Sequence, residues 1–228
     1  RNGIVPSKPP LYHWISATIS SIRDSSDEWS IRAPSALAAS GILLLTLLLA
    51  SKLFGRYATQ PLLTFIAVVL ATSYGFISMA GDARVDTVFS FFITLSIYEI
   101  LSAYNHNNPL WHRRANFSLF FFAIGLSVLA KRTLVAVLPS VIVVSILWGA
   151  SSFKEAVTLM IRPRIGWLYV ILLAAPFYLI APLSVADGVK DEFVWRHFIY
   201  ENLERFMGGD DIPRKEWWFY IPTFLRSA

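Results

Sequence analysis

Side chains that could hold a phosphate or move a proton fall in four short stretches of the sequence. The first sets Lys8 and His13 around Pro9-Pro10. Each proline fixes its own φ and lacks an amide hydrogen, so the pair suits an extended approach followed by the first turn of a helix, and it holds Lys8 at a defined place. The second is Asp82-Ala83-Arg84-Val85-Asp86, two carboxylates around an arginine ahead of an apolar run, where the helix dipole favours acids. Lys131-Arg132, adjacent cations between two apolar runs, is the third. In the fourth, Trp195 to Phe206, Glu201 and Arg205 stand one helical turn apart. Lys8, Lys131, Arg132 and Arg205 supply cations, and Asp82, Asp86 and Glu201 supply acids, a mixture suited to binding a phosphate beside acid–base work. Plain structural readings stand beside these: capping and a local ion pair for 82–86, snorkelling for Lys131 and Arg132, and an ordinary ion pair for Glu201 and Arg205.

The elements that must position these residues are membrane helices. With 55% hydrophobic residues, 15% charged and a mean hydropathy of +0.54 over 228 residues, the chain carries more apolar surface than a soluble core of this size needs. Cysteine is absent, which excludes disulfides and thiolate metal sites. The net charge of +5 is scattered between apolar runs, so it reads as a topology signal and not as a nucleic-acid surface. Apolar runs near the ~20 residues a bilayer core requires, or somewhat short of it, lie at roughly 34–54, 61–80, 87–104, 116–130, 133–149 and 166–183. The fourth and fifth are short and separated only by Lys131-Arg132, which predicts a broken or re-entrant pair.

Orientation follows from the loops, because Lys and Arg accumulate on the cytoplasmic side. Lys52 and Arg56, then His112, Arg113 and Arg114, then Lys154, Arg162 and Arg164 fall on one side. The lysine–proline loop, Asp82 to Asp86, Lys131-Arg132 and the polar tail from Val185 fall on the other, predicted to be outside. Trp29, Trp111, Trp148, Trp167, Trp195, Trp217 and Trp218 sit near span ends or in outer segments, as interfacial anchors do. Leu11, Trp14, Ile15, Thr18, Ile19 and Ile22 recur at helical spacing with Ser16, Ser20, Ser21 and Arg23 between them, predicting a helix along the membrane surface. The fold class is therefore all-α, a polytopic transmembrane helical bundle with amphipathic interfacial helices in its outer loops. Residues 1–33 are expected to form an outer loop with such a helix, 34–184 about six spans, and 185–228 an outer loop and the start of a further span. With Arg1 first and an apolar aromatic run close to the end, the expectation is a piece of a longer protein.

Several short motifs carry a family resemblance: Lys8-Pro9-Pro10-Leu11 with Trp14, Arg32-Ala33-Pro34-Ser35-Ala36-Leu37, Ala83-Arg84-Val85-Asp86, Gly125 to Lys131, Glu201 to Phe206, and Trp217 to Pro222. In order and spacing the chain resembles the N-terminal half of a bacterial member of the protein mannosyltransferase superfamily, close to the aminoarabinose (lipid A) transferase branch. The resemblance implies a GT-C-like glycosyltransferase that takes a sugar from a polyprenyl-phosphate donor on the outer face of the bacterial cytoplasmic (inner) membrane and passes it to a lipid, glycan or protein acceptor. It implies that Lys8 and Arg205 bind the donor or departing phosphate and that Asp86 is a second outer acid near the site; Lys131, as a donor at a break in a span, is a further candidate for the phosphate, and Arg84, Glu201 and Asp82 are candidates for support. The main base is expected upstream of Arg1. This chain has Ser7 and Asn202 where that branch carries a glutamate and a histidine, so neither bound zinc nor another cofactor is expected; Arg132 replaces a glycine. A secondary transporter remains an alternative, with Glu99 as its one intramembrane acid, as does a lipid-binding membrane scaffold.

Overall fold

A computed structural model describes residues 8–104, 109–131 and 164–183, with isolated positions 141, 145 and 154. Among the described residues run α1 (Leu11–Arg23), α2 (Glu28–Phe54), α3 (Gln60–Thr72), α4 (Tyr74–Gly81), α5 (Val85–Ala103), α6 (Leu110–Ala130) and α7 (Arg164–Leu183), with a 3-10 turn at Gly55–Tyr57. Among the described residues α2, α5 and α6 are each long and apolar enough to cross a membrane. The described part is thus the all-helical membrane bundle that composition predicts.

Register shows how the chain crosses. Ser35 meets Arg84, a Cβ on Gly41 would strike the Phe91 ring, and Lys52 lies over the Tyr98 ring, so α2 and α5 run parallel. Between them α3 and α4 bring the chain back, bent by 61° at Ser73. Ser73 is extended, and its amide and hydroxyl both turn back to the Leu70 carbonyl (3.3 and 3.1 Å), so the ladder stops there. Helix α6 is antiparallel to α5: Arg113 Nε donates to the last α5 carbonyl, Ala103 (2.9 Å), at one end, and Lys131 pairs with Asp86 at the other. Gly166 and Trp167 meet Phe121, while Leu173 meets Gly125, so α7 runs parallel to α6.

Small residues let these helices approach, as they must where lipid supplies no hydrophobic drive between spans. Ala38, Ala39 and Ala50 of α2, Ala103 of α5, and Ala123 and Ala130 of α6 are buried. The buried hydroxyls of Ser96, Ser102 and Ser127 donate to the carbonyls of Ile93, Tyr98 and Ile124 (2.7, 2.6 and 2.7 Å), which satisfies them inside their own helices.

Two expectations change. Helix α2 begins at Glu28, ahead of the predicted 34, because Asp27 caps it by accepting from the Ser30 amide (2.9 Å); Pro34 therefore lies inside the helix. The fourth span is not short: α6 starts after Pro109 and takes His112, Arg113 and Arg114 into its first turns, leaving Arg113 in reach of the α5 C-terminus. A bend that the sequence does not predict lies in the second span, at Ser73; the break expected at Lys131-Arg132 runs outside the described residues. The predicted fifth span falls almost wholly outside the described residues; the sixth coincides with α7.

Candidate active site

At the end of the bundle where α5 begins and α6 stops, the Lys131 ammonium pairs with the Asp86 carboxylate. Each charge stands where its own helix favours it. Asp86 is in the first turn of α5, whose free amides make a positive end, and Lys131 caps the C-terminus of α6, whose free carbonyls make a negative one. The pair is only partly shielded, with 31% of the lysine and 43% of the aspartate side chain exposed. The Lys131 ammonium also lies 5.6 Å above the Phe89 ring, one turn along α5. The ammonium is thus held between a carboxylate and a ring face.

The lysine–proline arm is anchored on the same spot. Pro9 is fully buried, and Leu11 and Tyr12 pack in one cluster with Ala38 of α2, Val88 and Phe89 of α5, and Leu129 and Ala130 of α6. Lys8, partly buried, thus projects from a fixed base beside the residues that carry Asp86 and Lys131. Tyr12, 3% exposed, donates to the Ile31 carbonyl (2.7 Å) and lies 3.2 Å from the Ser35 hydroxyl. Burial raises the Tyr12 phenol above its ordinary value, and Ser35 opposes that shift.

Ser35 in turn accepts from the Arg84 amide (3.1 Å) and faces the Arg84 carbonyl (3.2 Å). Asp82 and Arg84 form their own pair (2.9 Å) at the rim, each about half exposed, so the ion pair expected within 82–86 is between these two and not with Asp86. His13 is exposed against the edge of the Tyr12 ring and does not join the cluster. Of the predicted stripe on α1, Leu11 and Ile15 face the core, whereas Trp14 and Ile22 are 54% and 80% exposed. Glu99 sits in the last turns of α5, at the opposite end, with Lys52 as the nearby cation. Arg132, Glu201, Arg205, Ser7 and Asn202 lie outside the described residues. Among the described residues no three His, Asp or Glu side chains come together as metal ligands.

The sequence points to Lys8, Asp86 and Lys131 but not to Phe89, under the Lys131 ammonium, nor to Tyr12 and Ser35, which tie the chain next to Lys8 and Asp86 to α2. The signal for Ser35 was present as a proline and a serine on one turn of a span; nothing in spacing alone reveals that the pair reaches Arg84, forty-nine residues on.

Parallel and antiparallel membrane helices that gather an acid, a cation and a proline-fixed lysine at one end define a polytopic membrane protein with a polar site at that end. The chain belongs to the dolichyl-phosphate-mannose-protein mannosyltransferase family, whose model matches residues 7–183. It is 28% identical over 224 residues to undecaprenyl phosphate-alpha-4-amino-4-deoxy-L-arabinose arabinosyl transferase 1 of Pseudomonas fluorescens, covering 97% of this chain and 37% of that protein. A Pseudomonas aeruginosa enzyme of the same name, without the number, is 26% identical over 226 residues, covering 97% and 38%. The crystal structure of ArnT from Cupriavidus metallidurans bound to undecaprenyl phosphate superposes with a TM-score of 0.77 at 17% identity, covering 100% of this chain and 40% of that one. Its apo state gives 0.74, covering 100% and 39%. The fold is thus of the GT-C type, and the chain spans under two fifths of the length of the curated relatives it matches.

Proposed function

We propose that the protein is a membrane glycosyltransferase that moves a sugar from a polyprenyl-phosphate donor to a lipid, glycan or protein acceptor on the outer face of a bacterial inner membrane. Family membership supports the reaction class, and the relatives' names and the undecaprenyl phosphate held by one related structure support the donor class. The observation that carries the site is the Asp86–Lys131 pair, set beside the anchored Lys8 arm. Orientation rests on Lys52, Arg56, Arg113 and Arg114 lying at the far end of the bundle, where the cytoplasm retains basic residues.

In this reading a carboxylate takes the proton of the acceptor hydroxyl, and the oxygen attacks the anomeric carbon. The bond from that carbon to the phosphate oxygen breaks, and its electron pair leaves on polyprenyl phosphate. Negative charge grows on the departing phosphate, and Lys8, Lys131 and Arg205 neutralise it. Fixed charges aimed at developing charge are often what accelerates a reaction most. Asp86 orients Lys131, Arg84 and Asp82 pair at the rim, and Glu201 is proposed to support them. The polyprenyl tail needs no polar partner, because it lies against apolar spans. The site is proposed to work without a metal ion, on the strength of Ser7 and Asn202.

The test uses the complete protein that contains this chain, reconstituted in vesicles with polyprenyl-phosphate sugars and membrane extract. Transfer of label from donor to an acceptor is expected. Ion-dependent solute uptake without transfer would replace this reading with that of a secondary transporter.

A further inference from the structure

Pro34 opens a gap in α2 that α1 fills. In a helix the Ser30 carbonyl accepts from the amide four residues on, but residue 34 is a proline and has none. Its place is taken from another element, because Ser16 Oγ of α1 donates to that carbonyl (3.1 Å). One turn earlier on α1, Tyr12 donates to the next α2 carbonyl, Ile31 (2.7 Å). Two hydroxyls at i and i+4 on α1 thus dock onto consecutive carbonyls of α2. The residue after the proline, Ser35, is fully buried and holds the backbone of Arg84, two residues before Asp86. Tyr12 commits its proton to Ile31, so Ser35 divides its own between Tyr12 and the Arg84 carbonyl.

We propose that Tyr12, Ser16, Pro34 and Ser35 form a positioning latch: one turn of α2 fixes both the arm that bears Lys8 and the loop that leads into Asp86, and so sets their separation. Its catalytic consequence rests on the function proposed above. None of the four touches the reacting atoms; they act through Lys8 and Asp86. Ring packing alone does not account for the device, since a phenylalanine at 12 and an alanine at 35 would fill nearly the same space without joining three elements.

The test compares Tyr12→Phe and Ser35→Ala with Ser35→Thr, which keeps the hydroxyl, in the complete protein. Spin labels on Ala17→Cys of α1 and Ala83→Cys of the loop, both exposed, read the separation directly. The two deletions are expected to broaden the label distance and to lower kcat about 10- to 100-fold, with the donor KM changed by less than about threefold. Ser35→Thr should restore both. Unchanged distances in both deletions, with kcat per folded molecule at the parental level and only thermal stability reduced, would overturn the latch. If the parent transfers no sugar, the function proposed above fails, and the distances still decide whether the latch exists.

Discussion

The Asp86–Lys131 pair is better placed for binding than for stability. Both partners keep roughly a third or more of their side chains exposed, so the contact is worth about 1 kcal/mol or less. Exchanging the charges, Asp86→Lys with Lys131→Asp, should therefore leave the thermal midpoint near the parental one while abolishing transfer, because the charges then oppose both the helix dipoles and the phosphate. A midpoint that collapses with the exchange would make the pair structural. Ser7 and Asn202 lead to a second expectation: purified complete protein should hold less than one zinc per chain and keep its activity in chelator. Asp27 gives a pH effect with a definite sign. Its carboxyl is lowered first by the Ser30 amide and then further by the Ser30 hydroxyl and Arg23, so the cap is complete above the ordinary aspartate range and is lost as the pH falls through the lower folded value. Hydrogen exchange at the start of α2 should rise only in that acid window, and Asp27→Ala should show it already at neutral pH.

At the scale of elements, close approach between helices does the work. A Cβ on Gly125 would come within 2.7 Å of a Leu173 methyl, and one on Gly166 would enter the Phe121 ring. Gly125→Val is expected to lower the stability of the bundle in detergent by about 1–3 kcal/mol through overpacking of α6 against α7, read as a lowered melting temperature. The spans themselves were legible because a bilayer demands long apolar runs, so α2, α5 and α6 announce themselves in composition. What stayed hidden depends on single hydrogen bonds. The break at Ser73 turns on hydroxyl and amide bonds back to Leu70, and nothing as loud as a proline marks it. Pro34 stands where the first apolar run begins, yet the helix that Asp27 caps already starts at Glu28, and α1 supplies the missing donor. Lys131 was legible as a cation at one span end and Asp86 as an acid at another; that they pair was not, since the antiparallel packing of α5 and α6 alone brings them together.

Among the described residues the charges sort by end. Asp27, Asp82, Arg84, Asp86 and Lys131 gather at the end where α1 packs, and Lys52, Arg56, Arg113 and Arg114 gather at the other end. The sequence contains no cysteine, so single introduced thiols give clean topology probes within it. A thiol at Ala83→Cys should react with an impermeant reagent applied outside intact cells, and one at His112→Cys only after the membrane is opened. Reversed labelling would place the site in the cytoplasm and remove the polyprenyl-phosphate donor from its proposed face.

The central claim, that this end of the bundle stabilises a departing phosphate, is tested most directly by single-turnover cleavage of a polyprenyl-phosphate sugar by the complete protein, with Lys131→Ala and Lys8→Ala compared at saturating donor. Each variant is expected to slow cleavage by about 100-fold or more, as removal of one charge-stabilising donor does in other active sites. Cleavage by both variants at the parental rate would contradict the assignment.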